Sequence, residues 1–397
     1  MPTKQQVSFF INRFSVYLTI TLLLGVYLTT GCDHTNAQQS NGKTDNTVTV
    51  VTDDNVEQFQ EKANNGDTDA QVALGRYYYL KKDSDNTFKW FRKAAENGNT
   101  EGQLGFAGCY LRGIGVAKDL TEALKLFRKV AENGNAQAQL ILGQELINGA
   151  LPKDEVEAVK WLKKAANQNN SDGQLLLACC YLHGIGVSED QTKALKWFRK
   201  AAENGELKAQ LILGQGFLDG TFPKNEVEAV KWLKKAVDQN DATGQLALAK
   251  CYYKGEGVAK DKTKEFELLL KSAEQGNAEA QVLLGMGYIT EEWDKENINE
   301  GIKWLRKAAE QENVEAQNGL GMLLGSQNKD EEAVKWFHKA AEQGFAESQY
   351  MIGLCYASGR GVARDESEAF KWFNKAAEQG HQEAINAIKI INDTKKK

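Results

Sequence analysis

Few residues of this chain have types and spacings suited to chemistry. Two serines stand three residues ahead of a lysine, at Ser40–Lys43 and Ser326–Lys329. That spacing can set a lysine beside a nucleophilic hydroxyl for acyl transfer. Ser84-Asp85-Asn86 fits a second motif of such enzymes, but the third, Lys-Thr-Gly, does not occur. The first serine falls in a polar segment and the second in a shortened turn, so neither is placed as a preorganised nucleophile. Gly-x-Gly-Val recurs at 113–116, 184–187, 255–258 and 359–362. No strand precedes it and no Lys-Ser or Lys-Thr follows, so it reads as a helix-connecting turn and not as a phosphate loop. His34, His183, His338 and His381 are too scattered for a histidine metal site. No catalytic residue, cofactor or metal is therefore expected.

The remaining candidate is Cys32. Lys4 and Arg13 precede it, and no charged residue occurs from Phe14 to Cys32. The most apolar stretch, Val16 to Tyr27, spans roughly 20 Å as a helix, short of the ~30 Å hydrocarbon core. It suits a cleaved signal segment. Leu28-Thr29-Thr30-Gly31-Cys32 resembles a bacterial lipobox, with Thr29 where leucine is commonest. The resemblance implies cleavage before Cys32 and lipidation of its thiol. An uncleaved anchor over 14–32 is the alternative, and both place the rest of the chain outside. Cleavage would remove two positive charges, taking the net charge from −5 to −7. Asp33 resembles the retention signal of enteric inner-membrane lipoproteins. The expected organisation is a signal over 1–31, a polar tether over 32–53 rich in Asn, Gln, Thr and Ser, and a folded body over 54–397.

Those residues must be positioned by helices. The chain has 397 residues but only three prolines, Pro2, Pro152 and Pro223, so few helix breakers interrupt it. With 49 Lys plus Arg against 54 Asp plus Glu, the mildly acidic balance argues against a general nucleic-acid binder.

A repeat fills the body. Gln71, Gln103, Gln139, Gln174, Gln210, Gln245, Gln281, Gln317 and Gln349 begin nine units spaced by 32 to 36 residues. Three residues on stands a large apolar residue, then Gly or Ala, then after three more an aromatic ring or Leu. This is one face of a helix, and the small residue lets a second helix approach. The second helix carries Ala-x-x-Trp-x-x-x-Ala-Ala, as in Ala194, Trp197, Ala201 and Ala202; seven of the eight tryptophans take this slot. Most second helices end in Asn-Gly or Gln-Gly, where glycine relieves a left-handed conformation. The third and fifth units are alike, as are the fourth and sixth, so the 71-residue offset reads as duplication of a two-repeat block. Val56–Asn65 forms a partial leading unit, and a closing helix covers about 382–392. The seventh unit has Glu291-Glu292-Trp293-Asp294 in place of the turn, and the sixth has Glu265 at the helix-start alanine. Both edits are expected to alter loops more than core.

This pattern resembles the Sel-1-like repeat family, a branch of the tetratricopeptide-type solenoids. The resemblance implies an all-α, right-handed α-solenoid of about nine helix-turn-helix repeats with a terminal capping helix. It also implies a concave face that receives a protein or peptide partner. If the stacking follows the family, Arg76, Tyr79, Arg112, Gln144, His183, Gln215, Asp219, Lys250, Tyr253, Lys254 and Met286 face that groove. The reading is a monomeric scaffold at the bacterial cell envelope, anchored by the lipid on Cys32. Alternatives are an envelope enzyme, since some relatives resemble β-lactamases, and a peptidoglycan-binding module. Some secreted relatives staple each unit with two cysteines. Here Cys109, Cys180, Cys251 and Cys355 share one first-helix slot, and the second-helix slots lack a partner. Together with Cys179 these read as small buried apolar residues, although free thiols are unusual outside the cytoplasm.

Overall fold

The computed structural model describes residues 50–290 and 297–394. The signal, Cys32, Ser40–Lys43, nearly all of the tether and the 291–294 segment lie outside the described residues. Within them the chain is an all-α solenoid of paired helix-turn-helix repeats, with an extra helix at each end. The helices are α1 (Val56–Asn64), α2 (Thr68–Leu80), α3 (Ser84–Glu96), α4 (Thr100–Arg112), α5 (Leu120–Glu132), α6 (Ala136–Asn148), α7 (Glu155–Asn167), α8 (Ser171–His183), α9 (Gln191–Glu203) and α10 (Leu207–Asp219). They continue as α11 (Glu226–Asp238), α12 (Ala242–Lys254), α13 (Lys262–Glu274), α14 (Ala278–Ile289), α15 (Ile298–Glu310), α16 (Val314–Ser326), α17 (Asp330–Glu342), α18 (Ala346–Ser358), α19 (Glu366–Glu378) and α20 (Gln382–Thr394). Even numbers from α2 to α18 are first helices and odd numbers from α3 to α19 are second helices. The chain divides into two compact units, one running to Leu213 and the other from Gly214.

In the first unit the large apolar residue of most repeats is sealed, Phe106 of the second being partly buried. Leu74, Leu142 and Leu177 have no exposed surface, and a Cβ on Gly143 would meet Leu162 at 2.7 Å. The expected close approach of the second helix is thus present. Val51 packs against the core of α1–α3. Asp53 accepts hydrogen bonds from Tyr77 and from Lys81, the latter at 2.7 Å. The second unit follows the same rule around Leu284, Leu320 and Ile352. There a Cβ on Gly353 would meet Phe373 at 2.6 Å. Glu265 departs from expectation. It is 5% exposed, because its position faces the first helix and not the turn, so this edit falls in the core.

Helix ends account for the polar part of the repeat. Asp119, Asp190, Asp261 and Asp365 are the N-caps of second helices, and Asp190 accepts from the Lys193 amide at 2.9 Å. Such caps satisfy amides that a helix leaves unpaired. The marker glutamines act at the other end. Gln71, Gln139, Gln174, Gln210, Gln281, Gln317 and Gln349 each donate through Nε2 to the alanine carbonyl eight residues earlier, at 2.8–3.2 Å. That carbonyl closes the second helix of the preceding repeat. The Oε1 atoms of six of these accept from an amide at the end of their own second helix, as Asn204 Nδ2 to Gln174 Oε1 at 2.9 Å. These six glutamines therefore each clasp two successive helix ends.

All seven repeat tryptophans carry a lysine ammonium over the ring, three residues on, at 3.9–5.3 Å from the ring centre. The lysine stem covers the indole while its charge stays wet.

Candidate interaction surface

Positions two before, and two, five and nine after, each marker glutamine fall on one face of a first helix, by steps of four, three and four. The predicted groove residues belong to this face or border it, and each unit presents them differently.

In the first unit the face is largely closed. Arg76 is half-buried and its Nη2 donates to Glu101 Oε2 at 3.0 Å. Arg112 is exposed and donates to the Tyr79 hydroxyl at 3.4 Å. His183 is half-buried at the end of α8. Gln144 is only 2% exposed, so as it stands it offers no surface to a partner. Its Nε2 has no hydrogen-bond partner, and neither has Asn148 Oδ1 one turn on. Glu145 beside it is also buried. Burial pushes its carboxyl above the usual range, opposed by the charge of Arg112. A carboxyl raised on folding favours the folded state while protonated, below its unfolded pKa, and loses that contribution as pH rises through the folded value. Glu145→Gln should therefore raise the melting temperature near pH 7, with the gain shrinking as pH falls through the raised folded value toward the ordinary carboxyl range. Calorimetry across pH checks this, and a variant less stable at neutral pH would refute it.

In the second unit the face is open. Gln215 and Asp219 are exposed, and the Asp219 carboxylate accepts from the Thr221 amide at 2.9 Å and its hydroxyl at 2.7 Å. Lys250 Nζ meets Glu279 Oε1 at 2.5 Å, and Lys254 stands 3.8 Å from Glu256. Tyr253 and Met286 are 53% and 43% exposed. Met322 and Leu354 continue the register of Met286, five residues after Gln317 and Gln349. Sequence reasoning missed both, although the same offset marks them.

The acyl-transfer motifs do not assemble. Ser84 opens α3 behind the cap Asp83, which accepts from the Asn86 amide at 3.1 Å. Ser326 Oγ donates to the Leu323 carbonyl of its own helix at 2.7 Å, and Lys329 stands at the start of α17. Among the described residues no three His, Cys, Asp or Glu side chains come together as metal ligands. Their helices include none long and apolar enough to cross a membrane. The five repeat cysteines are free and buried. Burial pushes the thiols of Cys109 and Cys179 up to about 12 and that of Cys251 to about 11, with Cys180 and Cys355 raised as well. Thiolate is the reactive form. A thiol reagent should thus leave Cys109, Cys179, Cys180 and Cys251 unlabelled in the native chain and label them only after denaturation; fast native labelling of these four would contradict this burial.

The Sel1 repeat matches residues 68–99, 102–135, 136–170, 171–206, 207–241, 242–277, 278–313, 314–345 and 346–381. Among solved structures, the chain is similar to c5321, a protective antigen of uropathogenic Escherichia coli displaying an SLR fold. The identity is 33% over 84% of this chain and 81% of that one, with a TM-score of 0.46. It is similar also to a Sel1 repeat protein from Oxalobacter formigenes, at 27% identity over 84% of this chain and 89% of that one, with a TM-score of 0.52. No curated protein matches the chain. Nine tandem matches covering most of the chain show that it belongs to the Sel1 repeat family.

Proposed function

We propose that the chain is a monomeric protein-interaction scaffold, held at the bacterial cell envelope by a lipid on Cys32 and meeting its partner through the first-helix face. The observation that carries this reading is the contrast along the repeats. Core positions keep their type from unit to unit, whereas the face changes from Arg76 and Arg112 to Lys250, Tyr253 and Met286. Side chains free of a packing duty and varied in chemistry suit recognition of a protein partner. The anchor reading rests on Lys4, Arg13, the uncharged run to Cys32 and the small residue Gly31 before it.

Cross-linking in intact cells tests the proposal, with the full-length chain as bait and metabolic fatty-acid labelling in parallel. Cys32→Ala should abolish the label. Combined replacement of Arg76, Arg112, Lys250 and Tyr253 by Ala should lose a reproducible protein cross-link. Undiminished capture by the combined variant would refute the groove, and a labelled Cys32→Ala form would refute the anchor.

A further inference from the structure

The sequence contains four methionines, and the three beyond Met1 are Met286, Met322 and Met351. All three lie on first helices of the second unit, α14, α16 and α18. Met286 and Met322 are 43% and 50% exposed, and Leu354 takes their register on α18 at 37%. Leu283 adds exposed apolar surface one turn before Met286. Three successive first helices thus show apolar side chains where α2 and α12 show Arg76 and Lys250. Between α16 and α18 the stripe deepens into a cleft of about 400 Å³, with Met322, Met351 and Leu354 in its walls and Phe337 among its lining.

The border of the stripe is acidic. Glu279, Glu315 and Glu347 stand seven residues, or two turns, before Met286, Met322 and Leu354 on the same face. Glu279 is paired with Lys250 and Glu347 with His381. Glu315 is exposed, with no ion pair or hydrogen bond among the described residues. At the far side Asp330 is paired with Arg360 at 2.8 Å, and Arg360 also donates to the Gly325 carbonyl at 2.6 Å. Four carboxylates therefore face two permanent cations. The hydroxyls that end the stripe are turned inward: Thr290 donates to the Met286 carbonyl, Ser326 to Leu323 and Ser358 to Leu354. These residues leave the strip without a free hydroxyl hydrogen, so its occupant is held by apolar contact along the stripe and by positive charge at the edge.

We propose that the α14–α16–α18 face receives an amphipathic helix of a partner protein, apolar on one side and bordered by Lys or Arg. This rests on the scaffold reading and names the chemistry of its partner. Methionine is the side chain best suited to such a surface, being unbranched, polarizable and able to repack around different apolar anchors. One large apolar side chain fills the α16–α18 cleft, its neighbours lie along Met286 and Leu283, and a basic residue reaches Glu315.

The test uses the full chain with its methionine methyls labelled with carbon-13, each signal assigned by substitution with Leu. The probe is a synthetic amphipathic helix of Leu and Lys, compared with the same peptide carrying Glu for Lys. The Lys peptide should move the Met286, Met322 and Met351 signals. Met322→Gln with Leu354→Gln should weaken binding at least about tenfold, because apolar anchors at the centre of an interface carry most of its affinity. Glu315→Lys should weaken it by roughly threefold or more and lessen its salt dependence. These side chains are exposed, so unchanged helicity separates lost binding from lost fold. Unmoved methyl signals, equal binding of the double variant, or equal binding of the Glu peptide would each overturn the proposal. Methyl shifts that follow protein concentration, with a dimer in sedimentation, would assign the face to a second copy and overturn it too. In cells, capture lost by the Arg76/Arg112/Lys250/Tyr253 variant but kept by Met322→Gln/Leu354→Gln sinks this inference alone. Capture indifferent to both sinks the scaffold reading itself.

Discussion

Gly186→Ala is expected to destabilise the first unit by about 2–5 kcal/mol, the sum of two costs. Gly186 has φ +65°, a left-handed conformation that costs an L-residue ~1–2 kcal/mol. A Cβ there would also stand 2.0 Å from the Glu155 carbonyl oxygen and 2.4 Å from its carbon. Both are backbone atoms at the start of α7, so no side chain can swing aside. The turn must lift from α7, and Ile185, only 1% exposed, must lift with it, adding a loss typical of a disturbed core residue, ~1–3 kcal/mol. Gly205→Ala is the control. Its φ is +90° with nothing within 4 Å of the added carbon, so it bears the backbone cost alone. Urea unfolding of both variants checks the difference, and equal midpoints would show that the contact with Glu155 contributes nothing.

Gln174→Leu should cost about 1.5–4.5 kcal/mol, the loss of three hydrogen bonds, although it places an apolar residue in an apolar position. Gln174 is 1% exposed. Its Nε2 donates to the Ala166 carbonyl at 3.2 Å and to Asn169 Oδ1 at 3.0 Å, and its Oε1 accepts from Asn204 at 2.9 Å. Leucine fills the volume but removes all three bonds. The Ala166 carbonyl keeps the Asn169 amide, at 3.1 Å, and Nδ2 of half-buried Asn204 keeps Asn169 Oδ1, at 2.8 Å. The loss is therefore that of hydrogen bonds worth ~0.5–1.5 kcal/mol each. A double-mutant cycle with Asn204→Ala measures the clasp itself. Coupling of ~0.5–3 kcal/mol is expected for side chains in one network. Additive losses would show that the two amides act independently.

The same glutamine shows what was legible in the sequence. Its recurrence sets the length, number and boundaries of the repeats, because a period of 32 to 36 residues with helical spacing admits little besides helix pairs. Its purpose was not legible. A polar residue at fixed spacing reads equally as a surface contact or a buried partner, and only the position of the preceding helix end, eight residues back, decides. Asp190 is similar, plain as a repeat mark and revealed as a cap by its amide partner. The interaction face was the least legible part. The register picked out Arg76, Gln144 and Met286 alike, yet Gln144 is buried and Met286 is open. Register fixes the direction of a side chain from its helix axis, whereas exposure depends on how closely neighbouring helices approach.

The clasp also bears on how such a chain can be enlarged. In most repeats the glutamine joins the end of the previous second helix to the end of its own, always with the same two kinds of atom. A junction made between two units that both carry the clasp would reproduce that geometry. Copying or deleting a whole unit therefore exchanges one equivalent seam for another and strands no polar group. The 71-residue likeness of the third and fourth units to the fifth and sixth is the record such an event would leave. Recombination can thus lengthen the array at little cost in folding, while each new first-helix face is free to diverge.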